Sequence, residues 1–431
     1  MTGVPSTLTS AQPSTPPSFS REGATSSPTP DGWFPQGDSI DGTNRADLFG
    51  SSVALSNNGQ IMAAGAYLND DGGTNAGHVR VLQFNTQRQE WDPLGQAILG
   101  EERLDRFGTH VALSGDGKVL AASAPFHDGP AGSESGQVRI FAFDDSVNDW
   151  VQWGSAIDGM ARGDESGSAI ALSGNGRTIA IGSILHKSDD VSETGLVRIF
   201  QYNETAADWT QVGSNILGFQ EDSYFGCSVS MSDDGTILAV GAQFFDDNNV
   251  NINAGFVQAY AYNGLDWVPF GPGIRGAAAG DSFGVSVSLS STGRFLAAGS
   301  RRGNDGTGDV RVFFYSIATG TWTQVGDPIN GREDNETFGA TVSLSADGTL
   351  LAVGAPQANN LAGATRVYSL VDLEWFQVGE DLLGDEPGDE SGASVALAAE
   401  STVVAIGVPG SNDGGTNAGQ VQVFRNPFSA K

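Results

Sequence analysis

Cysteine is almost missing from this sequence, which contains only Cys227. One thiol cannot form an internal disulfide, so covalent cross-links are excluded as the source of stability. We predict that Cys227 is a small buried side chain in a strand rather than a reactive thiol. The fold must therefore be held by packing and by backbone hydrogen bonds.

Positive charge and long apolar runs are scarce as well. Lys and Arg number 21 against 51 Asp and Glu, which gives a formal net charge of -30 at pH 7. Such a surface repels the phosphates of nucleic acids and of anionic lipids, so any charged partner is expected to be cationic or bridged by cations. No apolar run reaches the roughly 18 residues that span a bilayer. The N-terminus also lacks the charged-then-apolar pattern of a secretory signal peptide, and direct membrane insertion is not expected.

Glycine, by contrast, is abundant. The 60 glycines among 431 residues indicate many tight turns and favour an all-β protein. Residues 1–32 are mostly Ser, Thr and Pro and carry too little apolar surface to offset the entropy of ordering, so they are predicted to be a disordered tail. Residues 33–431 form the second predicted domain, and most of it is an internal repeat.

Two signatures open each repeat. The first is W-x-x-x-G, which uses seven of the eight tryptophans and occurs at Trp33–Gly37, Trp91–Gly95, Trp150–Gly154, Trp209–Gly213, Trp267–Gly271, Trp322–Gly326 and Trp375–Gly379. The second is an F-G or S-G pair that begins an alternating stretch, at Phe49, Phe107, Ser166, Phe225, Phe283, Phe338 and Ser391. The Trp and the Phe are predicted to be packing residues rather than ligand platforms.

Two further signatures complete the unit: a small apolar run such as IMAAGA or LLAVGAP, and an alternating stretch such as GHVRVLQF or GQVRIFAF. Each of the four has the length and pattern of a short strand. The repeat begins with a lone W-x-x-x-G and ends just after GQVQVF, so the N-terminal strand is needed to complete the last unit. We therefore predict a seven-bladed β-propeller with four-stranded antiparallel blades, whose ring is closed by the N-terminal strand.

These motifs resemble FG-GAP repeats, as found in the N-terminal propeller of integrin α subunits, and the resemblance covers essentially all of residues 33–424. It is carried by Phe49-Gly50 with Gly65-Ala66, by Phe225-Gly226 with Gly241-Ala242, and by Phe338-Gly339 with Gly354-Ala355-Pro356. The resemblance implies a seven-bladed propeller that acts in adhesion or recognition, outside the cell or at its surface.

The sequence departs from the integrin pattern at one place. The calcium loop D-x-D-x-D-G between the first two strands is replaced by tight turns such as Ser114-Gly115-Asp116-Gly117. Such a turn is too short to surround a cation that takes six or more oxygen ligands. We therefore expect no metal site and no cofactor.

Acidic residues collect in the links that lead into each first strand and in the links between the second and third strands. In a four-stranded blade both kinds of link emerge on the same face, which is expected to be the ligand-binding surface. The candidate binding residues on it are Asp70, Asp71, Asp164, Asp222, Asp281, Asp389 and Asp413. The alternative is that these acids serve solubility and turn formation, because Asp favours turn backbone angles.

No catalytic constellation is visible. His78, His110, His127 and His186 are scattered, and the common nucleophile, phosphate-loop and zinc motifs are absent. We predict a non-catalytic, monomeric binding or adhesion module that recognises a protein partner. The alternatives are a carbohydrate-binding module, for which the loops offer the aromatic residues Tyr67, Phe126, Phe244 and Phe245, or a propeller hydrolase such as a glycosidase.

Overall fold

A computed structural model describes residues 32–187, 193–246, 252–399 and 403–426. The predicted disordered tail therefore lies, except for Gly32, outside the described residues. The described chain consists of short strands and loops, with a 3-10 turn at Asn304–Gly306 and one short helix, α1, at Ala358–Leu361.

The strands form seven sheets, which we number as blades in chain order. The chain begins with β1 (Phe34–Pro35) and β2 (Ile40–Asp41). Blade 1 contains β3 (Ser52–Leu55), β4 (Ile61–Ala66), β5 (His78–Asn85), β6 (Glu90–Pro93) and β7 (Ile98–Leu99). Blade 2 contains β8 (Val111–Leu113), β9 (Val119–Ala124), β10 (Gln137–Asp144), β11 (Asp149–Gln152) and β12 (Ile157–Asp158). Blade 3 contains β13 (Ser166–Leu172), β14 (Thr178–Ser183), β15 (Leu196–Asn203), β16 (Asp208–Gln211) and β17 (Ile216–Leu217).

The remaining blades repeat this order. Blade 4 contains β18 (Phe225–Met231), β19 (Ile237–Ala242), β20 (Phe256–Tyr262), β21 (Trp267–Pro269) and β22 (Ile274–Arg275). Blade 5 contains β23 (Phe283–Leu289), β24 (Phe295–Ser300), β25 (Asp309–Ser316), β26 (Thr321–Gln324) and β27 (Ile329–Asn330). Blade 6 contains β28 (Thr341–Leu344), β29 (Leu350–Ala355), β30 (Ala364–Val371), β31 (Glu374–Gln377) and β32 (Leu382–Leu383). Blade 7 contains β33 (Ser394–Leu397), β34 (Val403–Val408) and β35 (Gln420–Arg425), together with β1 and β2.

Every blade is a four-stranded antiparallel sheet whose outer strand is interrupted. In blade 1, both β6 and β7 pair with β5, because Gly95 between them turns the chain with a φ of 76°. Blade 7 takes its outer strand from the start of the chain: Phe34 pairs with Arg425 in β35, and Ile40 pairs with Val421. The predicted seven-bladed propeller, with its ring closed by the N-terminal strand, is thus confirmed.

The hydrophobic core is divided into seven clusters, one between each pair of neighbouring blades. Alternation along the second strand produces this division. In β4, Met62 and Ala64 pack towards blade 7, whereas Ile61 and Ala63 pack towards blade 2. Because successive side chains of a strand point to opposite faces, every second strand contributes to two clusters. Each blade is therefore stabilised by both of its neighbours.

Near the axis, neighbouring blades touch through glycine. Gly65 in β4 lies under the carbonyl of Gly108 in blade 2, so that a Cβ added at Gly65 would stand 2.0 Å from that oxygen. The same contact joins Gly407 to Gly50 and thereby links blade 7 to blade 1. Blade 2 is an exception, because it has Ser123 at this position. The contact explains why the F-G pair and the G-A pair occur together in the repeat.

At the periphery, the tryptophans join neighbouring blades by hydrogen bonds. The indole Nε1–H of each repeat Trp donates a hydrogen bond to a carbonyl in the preceding W-x-x-x-G, for example from Trp150 to Leu94 at 2.8 Å and from Trp209 to Trp153 at 2.7 Å. Trp33 donates to Val378 at 3.1 Å and so completes the ring of indole hydrogen bonds between blades. The predicted packing role of these residues thus includes a directional bond between blades.

The first strands also contact each other although they belong to different sheets. The hydroxyl of Ser286 donates to the carbonyl of Gly339 in the next blade at 2.8 Å, and that of Ser394 donates to Gly50 at 2.7 Å. On the side of the turns between first and second strands, backbone bonds run from turn to turn, from Asn57 N to Gly115 O at 2.8 Å and onward to Ala399. Small and polar inner strands are therefore needed to bring the blades together around the axis.

The glycine contact predicts that a methyl group added at the contact lowers stability much more than one added at a glycine outside it. Gly407→Ala would place a Cβ 1.8 Å from the Gly50 oxygen, so we expect it to lower the free energy of unfolding by about 3 kcal/mol or more. Gly280→Ala is the control, because its Cβ would meet nothing within 4 Å and the cost is only that of its positive φ, about 1 kcal/mol. Urea unfolding measures both, and equal losses would contradict the role given to the contact.

Candidate functional site

One face of the ring is formed by two kinds of loop that bond to each other. The loop between the second and third strands of blade 1 accepts hydrogen bonds from the link into blade 2: Leu104 N donates to Thr74 O at 2.9 Å, and Phe107 N donates to Ala76 O at 2.8 Å. The equivalent bond from Phe283 N to Ala254 O joins blades 4 and 5 at 3.0 Å. We call this side of the ring the loop face; it is the side on which the sequence places the acidic links.

A buried acid sits under six of the seven links, two residues before the F-G or S-G pair. These residues are Asp47, Asp105, Asp164, Asp281, Glu336 and Asp389, and blade 4 has Ser223 instead. Their carboxylates accept hydrogen bonds from backbone N–H groups at the start of the same link, as in Asp164 from Met160 and Ala161 at 3.1 and 2.9 Å. A carboxylate that satisfies two backbone donors fixes the shape of the link.

Three of these acids have a second partner from the loop between the second and third strands. Asn69 Nδ2 donates to Asp47 at 2.9 Å, and the Nδ1 atoms of His127 and His186 each lie 3.1 Å from Asp105 and Asp164. Asn69, His127 and His186 occupy the same position of the repeat. The hydrogen bond with Asp105 raises the pKa of His127, and partial burial opposes the shift.

The structure separates the seven sequence-predicted binding residues into two groups. Asp164, Asp281 and Asp389 are only 2%, 6% and 5% exposed, and their carboxylates are turned to the backbone of their own links. They stabilise the loop face and are not available to a partner on it. Asp70, Asp71, Asp222 and Asp413 are exposed, so a binding role for these four stays a prediction.

The loop face has a cavity where blade 7 meets blade 1. It has a volume of 380 Å³, and Leu48, Tyr67, Glu390, Pro409 and Asn417 are among its lining residues. Burial raises the pKa of the Tyr67 hydroxyl; Arg106 acts against this shift and Glu390 adds to it. The cavity therefore combines the aromatic ring of Tyr67, whose phenol stays protonated, with the carboxylate of Glu390.

Blade 4 has an exposed aromatic side chain that was not predicted from the sequence. Phe219 is 59% exposed, and the other side of its ring packs edge-on against Phe245 and Phe256, at centroid distances of 5.2 and 5.4 Å. This aromatic platform replaces the acid and its partner, because blade 4 has Ser223 and Phe245 where blade 3 has Asp164 and His186. The signal was present in the sequence as the only aromatic residue that follows the link glycine in any blade.

Of the aromatic residues that the sequence pointed to, only Tyr67 lines the cavity. Phe126 is covered by the Arg106 guanidinium, which lies 4.2 Å from the ring centroid. Phe244 packs against Tyr224 at 5.0 Å, and Phe245 is 8% exposed. These rings contribute to packing of the loops more than to a free surface.

The turns between first and second strands, on the opposite side of the ring, are filled by their own hydrogen bonds. Oδ1 of Asp116 accepts bonds from the Ser114 hydroxyl at 2.6 Å and from the backbone N–H of Lys118 at 2.9 Å. Within the described ranges, no group of three or more His, Cys, Asp or Glu side chains is placed to hold a metal ion. The absence of a tight calcium site stays a prediction, with this turn geometry in its favour.

Residues 41–82 match the family model of the FG-GAP repeat. The matched segment runs from the end of β2 into β5 and contains Phe49-Gly50 and Gly65-Ala66, the residues on which the resemblance rests. No curated protein matches the chain. The chain is thus a seven-bladed β-propeller with a segment similar to the FG-GAP repeat, and a likeness to integrin α subunits in particular is consistent with this match.

The His127–Asp105 pair predicts a pH-dependent contribution to stability. Because the pKa of His127 is raised in the folded state, the stabilisation is fully present below the ordinary His value and is lost as pH rises through the raised value. His127→Asn keeps a donor to Asp105, as Asn69 does for Asp47, but cannot be protonated. Wild type should therefore exceed this variant in urea midpoint more at about pH 5.5 than at about pH 8.5. A difference independent of pH would contradict the assignment.

The closed turns predict that chelation is harmless. Millimolar chelator should leave the thermal midpoint unchanged, because the Asp116 turn and its equivalents satisfy their own carboxylates. Differential scanning calorimetry with and without chelator is the measurement. A fall of many degrees, restored by added calcium, would show that a structural calcium site exists.

Proposed function

We propose that this chain is a non-catalytic binding or adhesion module that recognises a cationic protein partner through its loop face. The observation that carries the proposal is the construction of that face. Buried acids hold the links in shape, and further acids such as Glu221, Asp385 and Glu386 are exposed on the same links. A rigid scaffold with clustered like charge is suited to steer and bind an oppositely charged partner.

The family match supports the setting of this function. FG-GAP repeats are typical of extracellular proteins. Among the described residues, no helix is both long and apolar enough to cross a membrane. We propose that the propeller acts outside the cell or at its surface, as a monomer whose ring is already closed.

A second candidate function rests on Phe219. Flat exposed aromatic rings are the usual platforms for sugar rings, and Phe219 is backed by two further rings. The link that carries it is fixed because Gln220 Oε1 accepts a bond from the backbone N–H of Asp246 at 2.7 Å. A carbohydrate-binding module would use this platform, and Phe219→Ala would then abolish glycan binding on an array while leaving the melting temperature nearly unchanged.

The protein-binding proposal predicts a difference between the two sides of the ring. Glu221→Lys, Asp385→Lys and Glu386→Lys together reverse exposed charges on the loop face. Their association rate with an immobilised lysine-rich peptide should fall about tenfold at low salt, and the difference from wild type should shrink as salt screens the charges.

The matched control carries Asp145→Lys, Glu204→Lys and Glu374→Lys in the hairpins between third and fourth strands, on the opposite side, and changes the net charge equally. We expect it to slow association much less. Equal slowing by both sets would overturn the proposal, as would hydrolysis of a glycoside that only the loop-face set abolishes.

A further inference from the structure

The inner rim of the loop face is formed partly by the residue that follows each second strand. Tyr67 and Pro409 occupy this position in blades 1 and 7, and both line the cavity described above. Blades 2, 3 and 6 have apolar residues there, namely Pro125, Ile184 and Pro356. Blade 5 differs, because it has Arg301 at this position and Arg302 immediately after it.

Arg301, which is half-buried, lacks an acidic partner of the kind that Arg139 and Arg366 have. Arg139 pairs with Glu101 at 3.2 Å, and Arg366 pairs with Glu336 at 2.8 Å. In the part of the chain that the structure describes, no carboxylate forms an ion pair with Arg301 or with Arg302. Burial lowers the pKa of Arg301 and the adjacent Arg302 lowers it further. Two neighbouring guanidinium groups without a counter-charge are unexpected in a chain with 51 acidic residues.

Arg301 carries an unsatisfied polar atom, as do Gln243 and Ser282. Its Nε atom, Gln243 Oε1 and Ser282 Oγ are all buried, and none has a hydrogen-bond partner among the described residues. Buried polar atoms without partners are costly, and each one calls for a ligand, a water molecule or an ion.

Contacts place these groups together at the junction of blades 4 and 5. Burial raises the pKa of the Cys227 thiol, whereas a backbone hydrogen bond with Gln243 and the charge of Arg301 both lower it, so both groups lie near the thiol. The Sγ atom of Cys227 lies 3.6 Å from the carbonyl of Gly284. The backbone N–H of Arg302 donates to Asp281, the residue before Ser282, at 3.3 Å. We call Cys227, Gln243, Ser282, Arg301 and Arg302 the blade 4–5 cluster.

We propose that the blade 4–5 cluster binds an oxyanion, the carboxylate or phosphate group of a ligand, with Arg301 as its principal donor and Ser282 as a second one. The guanidinium fork matches two oxygens of such a group. Burial raises the pKa of the Cys227 thiol to about 11, so this neighbour is uncharged at neutral pH and does not compete with the anion. The amide of Gln243 presents its NH₂ group to the anion after rotation about its last bond.

This inference is independent of the proposed cationic partner, since it concerns the inner rim and an anion rather than the exposed acids of the links. It would give a strongly acidic face one position that selects an anionic group.

The test titrates the protein with sodium phosphate and, separately, with sodium acetate, against sodium chloride at equal ionic strength. Both thermal midpoint and calorimetric binding are read. Saturable stabilisation beyond that of chloride is expected for at least one of the two anions; response to acetate alone assigns a carboxylate, and response to phosphate alone assigns a phosphate group.

Arg301→Gln should weaken that binding about tenfold or more, and Arg302→Gln should weaken it less. Arg45→Gln is the matched control, an exposed arginine in a link of the same face, and should bind as wild type does. The single thiol gives a local readout, because a bound anion should slow the reaction of Cys227 with a neutral maleimide.

The proposal is overturned if neither anion binds beyond the chloride baseline. It is also overturned if Arg301→Gln, melting like wild type in chloride, keeps the full affinity, or if Arg45→Gln weakens it as much. If Arg301→Gln does not fold, the Arg302→Gln titration and the maleimide protection of wild type decide, and absence of both effects overturns it.

Discussion

The ring depends on how closely two backbones can approach at each blade junction. Where Gly65 lies under the carbonyl of Gly108, or Gly407 under that of Gly50, there is no room for a side chain. This approach sets the distance between blades and so allows Ser286 and Ser394 to reach the next first strand. Farther out, where the blades diverge, the gap is filled by larger side chains and finally by indole rings. Small residues in the two inner strands and tryptophans at the periphery are thus a consequence of geometry.

The fold could be predicted from the sequence because its determinants are periodic. Phe49, Phe107, Phe225, Phe283 and Phe338 recur at one position and are all nearly inaccessible to solvent, and the unmatched Trp33 indicated how the ring closes. Local patterns of this kind report strand, turn and register directly. What a pattern does not report is which way an acid points once the chain is folded.

The candidate binding residues show this limit. Asp164 and Asp222 look alike in the sequence, since both lie in a link just ahead of a first strand. Asp164, two residues before the S-G pair, turns inward to cap backbone N–H groups; Asp222, three residues before the F-G pair, is exposed, and Ser223 takes the inward position. Phe219 was missed for the same reason, because its exposure depends on Phe245 and Phe256, which come from two other segments. A shift of one residue relative to the F-G or S-G pair therefore determines whether the acid is buried and structural or exposed on the surface.

Blade 7 gives the ring a particular response to mechanical load. Its outer strand β1 shares only two residue pairs with β35, at Phe34–Arg425 and Pro35–Phe424, whereas β6 shares four with β5. Pro35 has no N–H to donate, and antiparallel pairing puts residues 33 and 426 side by side. Tension between these two ends would break the pairs one at a time, in an unzipping geometry, instead of shearing them together. Force would therefore open the propeller at this seam first, and the hydrogen bond from Trp33 to Val378 would be loaded together with these pairs.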